Sequence, residues 1–118
     1  MHYLCLIYYD EKKLQDMPDD ERDALYEEAY AYYDELVKNG HGIAGDALQS
    51  INTARTVRVQ RGKTSVTDGP YVETKEQVGG FILMDARDLE EAVHLASNIP
   101  PARLGGVEVR PVWDMTAQ

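Results

Sequence analysis

The hydrophobic positions of this chain form short runs of two kinds. Continuous apolar and aromatic runs at Tyr3–Tyr9 and Phe81–Met84 are typical of strands that are buried on both faces. Val107–Trp113 alternates apolar and polar residues, which predicts a last strand with one buried face. Thr53–Arg61 and Thr64–Thr67 alternate in the same way around a Gly-Lys pair, so we expect a β-hairpin there.

A long amphipathic segment predicts the first helix, from Pro18 to Lys38, ending at Asn39-Gly40 where glycine can take the left-handed cap conformation. Its broad apolar stripe carries four tyrosines at helical spacing. They are Tyr26, Tyr30, Tyr32 and Tyr33. Such a stripe is more often core or interface than a ligand site, but buried phenols need hydrogen-bond partners. We therefore keep Tyr33 as a candidate binding residue that projects into a cavity.

A second helix is predicted to open at Asp88 as N-cap, with Glu91 three residues later as in a capping box. We expect Leu89, Ala92, Val93 and Ala96 to form its buried face. The segment from His41 to Asn52 shows no periodicity and is expected to be irregular.

The order β-α-β-β-α-β is that of an α+β, ferredoxin-like fold with both helices on one face of an antiparallel sheet. Two strands are apolar on both faces, whereas two helices cover one face only. The other face therefore needs another layer, and a second copy of the same sheet is the simplest one. The pattern predicts a homodimer that packs sheet to sheet.

Composition sets further limits. With 118 residues, of which 43% are hydrophobic, we expect a single domain over residues 1–118. Cys5 is the only cysteine, which excludes an intrachain disulfide and favours a reducing compartment. No segment approaches the roughly 20 apolar residues of a membrane helix, and no signal peptide is evident. We expect a cytoplasmic protein without a membrane partner.

The net charge of −9 is concentrated in one segment, because residues 16–35 hold nine acidic residues against Arg22. This concentration indicates one solvated helix face. It also argues against nucleic acid as a partner, since no basic stripe is present to neutralise phosphates.

A polar connection of about a dozen residues joins the hairpin to the next strand, a length at which loops are often functional. Its string Asp68–Glu76, followed by Gly79-Gly80, resembles the signature of the DGPF family of YCII-related proteins, with Tyr71 where that family has phenylalanine. Arg58 and Val107–Pro111 also match. The resemblance covers most of the chain from about residue 36 onward, and it implies a dimeric α+β barrel built from ferredoxin-like subunits.

The same resemblance implies little about activity. Some YCII relatives resemble lyase-type enzymes that use a His–Asp pair, with the histidine on the first helix. The first helix of this chain has no histidine, so that pair is not carried over.

Two candidate catalytic residues follow from the sequence itself. Asp68 either closes a turn through its side chain or stands at a strand end as a proton acceptor in a cavity. His41 either stabilises the dipole at the helix C-terminus or acts as a base that Asp46 orients.

Charged residues around the central loop are candidate binding residues. Glu73 and Lys75 lie on one side of an extended segment, where they pair with each other or with Arg58. Arg58 and Arg110 point toward the dimer side if the neighbouring valines face the helices. Their anionic partner is then Asp68 or Glu73, or else the carboxylate of a bound ligand.

No histidines or cysteines occur at metal-ligand spacing, and no phosphate loop, nucleophile elbow or dinucleotide motif is present, so neither a metal nor an organic cofactor is expected. The sequence favours a cofactor-independent acid–base enzyme of the lyase, isomerase or cyclase type. It would act in a dimer cavity on a small substrate that Arg58, Lys75 and Arg110 orient through its negative charge. The alternative is a non-catalytic module for small-molecule binding or protein interaction.

Overall fold

The structure is a computed structural model that describes residues 1–116. The strands are β1 (His2–Tyr9), β2 (Gly42–Ala47), β3 (Arg55–Gln60), β4 (Lys63–Asp68), β5 (Gln77–Asp85) and β6 (Gly105–Pro111). The helices are α1 (Glu11–Gln15), α2 (Asp19–Lys38) and α3 (Leu89–Ala96), with 3-10 turns at Ile51–Thr53 and Pro100–Leu104. Among these described residues no helix is both long and apolar enough to cross a membrane.

Four strands form one antiparallel sheet in the order β2-β5-β1-β6. The two strands predicted from continuous apolar runs, β1 and β5, are its central pair. With α2 and α3 in their chain positions, the sheet has the β-α-β-β-α-β order of a ferredoxin-like fold. The predicted α+β fold class is therefore confirmed.

The two faces of the sheet differ in burial. Tyr3, Cys5 and Met84 are almost fully buried on the helix-covered face, where they form the centre of the core. Leu6 and Leu83 point to the opposite face and are only partly buried. We call this second side the open face; its other apolar members are Leu4, Tyr8 and Phe81.

Two expectations about the strands are corrected. The segment predicted to be irregular contains β2, an edge strand whose glycines weaken its β signal and whose register with β5 shifts after Gly42. The hairpin β3–β4 exists as predicted, but it is a separate two-stranded sheet inserted between β2 and β5.

Both long helices end or begin as their sequences indicate. At the end of α2, the amides of Gly40 and His41 donate to the carbonyls of Val37 and Leu36, and Gly40 has a φ of 81°. These two bonds form a Schellman motif. At the start of α3, the Asp88 side chain accepts from the amide of Glu91 at 2.9 Å.

The buried face of α3 differs from the expected one. Ala92 and Ala96 are buried as expected, whereas Leu89 and Val93 are exposed. Leu95 packs against the core in their place. The buried stripe of α3 is rotated about the helix axis relative to the expected one. The residues that face the core follow i, i+3, i+4 spacing and are Ala92, Leu95 and Ala96.

Candidate functional site

A cavity of about 650 Å³ lies between the first half of α2 and the strands β1, β2 and β5. Ile7, Leu25 and Ile82 give it apolar walls, and α1 and the two 3-10 turns contribute to its margin. Five of the eight tyrosines line it. They are Tyr9, Tyr26, Tyr30, Tyr32 and Tyr33. A mostly apolar concavity with a few polar groups is typical of a small-molecule site.

Two glycines make room for tyrosine rings in this cavity. A Cβ atom on Gly79 would lie 2.2 Å from Cζ of Tyr9. A Cβ atom on Gly45 would lie 3.0 Å from Cε1 of Tyr33. Gly79 also falls where the pairing register between β1 and β5 breaks, because Ile7 is opposite Gly80 and Tyr8 is opposite Val78. Gly79, the first glycine of the Gly79-Gly80 pair, thus leaves free the space that the Tyr9 ring occupies.

Tyr9 has an unusual electrostatic environment. Burial raises the pKa of its phenol above the ordinary value, and the nearby Tyr26 and Glu11 raise it further. The hydroxyl lies 3.4 Å from the carbonyl oxygen of Gly79, to which it donates weakly. The phenol therefore remains protonated at neutral pH and can donate a hydrogen bond.

Glu11 is held in place by two neutral donors. Its Oε2 accepts from the Ile51 amide at 3.1 Å, and its Oε1 accepts from Nε2 of Gln15 at 3.2 Å. The carboxylate sits on the first turn of α1 and is partly buried at the edge of the cavity. These bonds fix its position while leaving other lone pairs on both oxygens unused.

Two further polar side chains of the cavity are engaged in bonds within the fold. The Tyr32 hydroxyl donates to the Leu95 carbonyl at 2.6 Å, and burial raises the pKa of this phenol although the side chain of Asn98 lowers it. Arg22 is the one cation among the described lining residues. Its Nη1 donates to the carbonyls of Gln15 and Met17, both at 3.2 Å, and its Nη2 pairs with Asp19.

The structure places Asp68 away from this cavity. Its side chain is 90% exposed and pairs with Nε of Arg55 at 3.0 Å. Arg58 stacks on Tyr71 instead, with its guanidinium carbon 4.5 Å from the ring centroid and Nη1 3.3 Å from the hydroxyl. Among the described residues Glu73 forms no ion pair. The expected pairs of Arg58 with Asp68 or Glu73 are therefore not formed.

His41 also lies away from the cavity. Its Nδ1 donates to the carbonyl of Asp85 at 2.8 Å, which ties the end of α2 to the end of β5. Asp46 follows five residues later along an extended strand, which separates the two by about 16 Å. The structure does not bring His41 and Asp46 together as a base and its orienting acid.

The other two cationic candidates lie at different places. Lys75 lines a smaller cleft of about 220 Å³ that shares Glu11 and Gln77 with the cavity. Arg110 is on the open face, where its Nε lies 2.9 Å from Oε2 of Glu108, a partner that the sequence did not single out. Tyr33, the predicted binding residue, lines the cavity itself, and so does Asp46, which was predicted to orient His41.

Sequence reasoning missed Tyr9 and Glu11. One signal was present, since the alternation of β1 puts Tyr9 on the same side as Cys5 and Ile7 and at the end of the strand. The short helix that carries Glu11 has no such signal. No group of three or more histidine, cysteine, aspartate or glutamate side chains that could hold a metal ion occurs in the described part of the chain.

The fold and the cavity define an α+β protein of ferredoxin-like topology with a tyrosine-lined pocket beneath its long helix. The family model of the YCII-related domain matches residues 1–116. The chain belongs to the YCII-related family, and the resemblance predicted from its central signature is confirmed.

Two individual proteins are similar to the chain. An uncharacterized protein of Rhizobium meliloti (strain 1021) is 34% identical over 114 residues, which are 95% of this chain and 92% of that protein. One similar solved structure is that of a 5-chloro-2-hydroxyhydroquinone dehydrochlorinase from Burkholderia phenoliruptrix AC1100, in complex with 2,5-dihydroxybenzoquinone. It superposes with a TM-score of 0.54 at 19% identity, covering 96% of this chain and 94% of that chain. At that identity the likeness concerns the fold alone.

Proposed function

We propose that this protein is an enzyme that carries out acid–base chemistry on a small organic molecule in the tyrosine-lined cavity. The observation that carries the proposal is that one cavity, large enough for a substrate, holds both a half-buried phenol with a raised pKa and a carboxylate held by two hydrogen bonds. Tyr9 is the proton donor and Glu11 is the proton acceptor. General acid–base catalysis needs two groups of this kind within reach of one substrate.

The other cavity groups serve binding in this proposal. Tyr33 packs along the substrate and Tyr26 offers a further hydroxyl. Lys75 stands in the adjoining cleft, from which its ammonium group can approach a negatively charged substituent. The chemistry then belongs to elimination, isomerisation or cyclisation, since each of these needs proton transfer without a covalent nucleophile.

The similar dehydrochlorinase supports the elimination class within this set. In the loss of hydrogen chloride from a hydroxylated chloro-aromatic ring, one hydroxyl group gives up its proton and the chlorine-bearing carbon is protonated, which gives a ketone. A second hydroxyl group then loses its proton as chloride leaves with the electron pair of the C–Cl bond, so that a quinone and hydrogen chloride result. In this proposal Glu11 accepts a hydroxyl proton. Tyr9 is placed to donate a hydrogen bond to the leaving group or to a developing oxyanion.

We further propose that the enzyme is a homodimer whose open faces pack together, and that it works in the cytoplasm. The apolar centre of the open face supports the dimer, because no helix among the described residues covers it; it consists of Leu4, Leu6, Phe81 and Leu83. The lone cysteine is buried in the core, which is compatible with a reducing compartment.

A second candidate function is a non-catalytic small-molecule-binding module. One observation favours it: the charged candidates Asp68, Arg58 and Arg110 are engaged with Arg55, Tyr71 and Glu108 in contacts that stabilise the fold. In that case the cavity binds a ligand but converts nothing.

The experiment measures binding of 2,5-dihydroxybenzoquinone by calorimetry and chloride release from 5-chloro-2-hydroxyhydroquinone. Under the enzyme proposal, Tyr9→Phe and Glu11→Gln each lower the turnover of a converted substrate by about 10²-fold or more. Tyr8→Phe is the matched control, because Tyr8 adjoins Tyr9 but faces the opposite side of the sheet. Binding without any turnover supports the binding module. Turnover that survives both cavity substitutions refutes the acid–base roles.

A further inference from the structure

The hairpin β3–β4 stands apart from the main sheet. Its described contacts outside its own two strands are with the residues that flank them. The Gly69 amide donates to Ala54 and the Thr56 hydroxyl donates to the Gly69 carbonyl, both at 2.9 Å, and Arg58 stacks on Tyr71. A two-stranded hairpin is marginally stable by itself and needs a packing surface. Among the described residues no hydrogen bond or ion pair joins this hairpin to the main sheet.

One face of the hairpin is apolar and uncovered. Val57 and Val66 are directly opposite each other and Val59 follows on the same side. They are 59%, 61% and 67% exposed. We call these three residues the valine face. Three exposed β-branched side chains in one patch indicate an interaction surface rather than a solvated one.

Charge distinguishes the hairpin from the rest of this acidic protein. Residues 55–68 contain four basic residues, Arg55, Arg58, Arg61 and Lys63, against the single acid Asp68. The helix α2 has the opposite balance, with eight acidic and two basic residues. Within the described residues no ion pair or hydrogen bond joins the hairpin to α2 of the same chain. Two complementary surfaces on one chain favour a second copy as the partner.

The exposed side of α2 combines acid with aromatic surface. Asp23, Glu27, Tyr30 and Asp34 recur at helical spacing, and all four are exposed. We call these four residues the acidic stripe. Tyr30 is 73% exposed although it also lines the cavity, so it stands at the cavity mouth. The stripe thus offers carboxylates for arginines and a ring on which valine side chains can pack.

We propose that the valine face of one copy docks on the acidic stripe of a second copy. Arg55, which is on the same side of β3 as Val57, then lies near the mouth of the cavity in the other subunit. That cavity has Arg22 as its one described lining cation, and Arg22 is already bound to backbone carbonyls and Asp19. Docking would therefore add a positive charge at the mouth of a site whose own lining cation is already engaged. The inference is independent of the acid–base proposal.

The test is site-specific cross-linking between two differently tagged forms expressed together. One form carries Val57→Cys and the other Tyr30→Cys, and a short bismaleimide links thiols that lie close together. Cys5 does not compete, because it is buried and its thiol pKa is raised to about 11. The mixed product should form in high yield. Val57→Cys paired with Val93→Cys, an exposed position on α3, is the matched control and should give little.

Charge reversal then tests the basis of recognition. Changing Asp23, Glu27 and Asp34 to lysine in the Tyr30→Cys form should lower the cross-linking yield roughly tenfold, since three exposed charges of the acidic stripe are reversed. Changing Arg55 and Arg61 to glutamate in the Val57→Cys form should restore it. Restoration also shows that both variants are folded. Absence of the mixed product, a yield no higher than with Val93→Cys, or a yield indifferent to both reversals overturns the docking.

Discussion

Replacing Gly79 with alanine places a methyl group where the Tyr9 ring now lies. The added Cβ would be 2.2 Å from Cζ and 2.3 Å from Cε2 of Tyr9, whereas ordinary contacts begin at 3.4 Å. The ring must therefore move away from Gly79 by about 1 Å or more. We expect this movement to reduce the burial that raises the pKa of Tyr9.

The expected effect on stability is small. The clashing atoms are at the far end of a flexible side chain, and Gly79 has no positive φ that alanine would strain. The loss in free energy of unfolding should be about 1 kcal/mol, the low end of the range for overpacked positions. The pKa of Tyr9 should meanwhile fall back toward the ordinary value of about 10. The substitution should thus change the pKa of Tyr9 while it leaves the stability of the fold nearly unchanged.

The assay follows the hydroxyl-bearing ring carbon of isotopically labelled tyrosine by NMR as pH is raised. The Tyr9 signal is assigned from the spectrum of Tyr9→Phe. Gly106→Ala serves as the control, since Gly106 also lies in a strand but has nothing within 4 Å of an added Cβ. If Tyr9 titrates identically in wild type and Gly79→Ala, the close approach of Gly79 does not set its environment and the reasoning is refuted.

Three further predictions follow from other parts of the structure. Burial raises the thiol pKa of Cys5 from 9.0 to about 11, so the folded state holds this proton more tightly; about 2–3 kcal/mol of stability present below pH 9 is lost as pH rises through 11. Denaturant titrations of Cys5→Ala at a series of pH values should lack that loss. If the free energy of unfolding falls with pH as steeply in Cys5→Ala as in wild type, the prediction is contradicted. Leu83→Arg should convert a dimer to a folded monomer in sedimentation while Val93→Arg does not; a wild type that is already monomeric excludes the sheet-to-sheet dimer. Thr56→Val removes the bond to the Gly69 carbonyl, costs about 1 kcal/mol, and should speed amide exchange in residues 69–76 but not in β1; uniform protection would show that this bond does not anchor the loop.

The periodic segments of the sequence predicted the fold well because burial on a sheet or helix is written in the spacing of apolar residues. The central strands, the long helix and the α3 cap at Asp88 follow from that spacing. The strand β2 was not predicted, because this edge strand contains two glycines and shows neither an alternation of apolar and polar residues nor an apolar run. The buried stripe of α3 was rotated because its exact facing depends on where the core lies.

The candidate site was predicted only in part. The central signature identified the family, and the tyrosine stripe on α2 indicated cavity residues. The charged residues of the candidate site, however, were assigned their partners by nearness in sequence. The structure pairs Asp68 with Arg55 because they are opposite each other at the end of the hairpin register, and it separates His41 from Asp46 along β2.

The sequence by itself determined most of the elements, the fold class, the family and the presence of both an acidic helix and a basic hairpin, since these depend on residue order and local periodicity. The tertiary structure alone decided that Tyr9 and Glu11 meet at the cavity under α2. It also decided that the Tyr9 ring lies against Gly79 and that the hairpin is separate from the main sheet. These features depend on pairing register and on how α2 lies over the sheet, and distances across the fold are not encoded in the spacing of neighbouring residues.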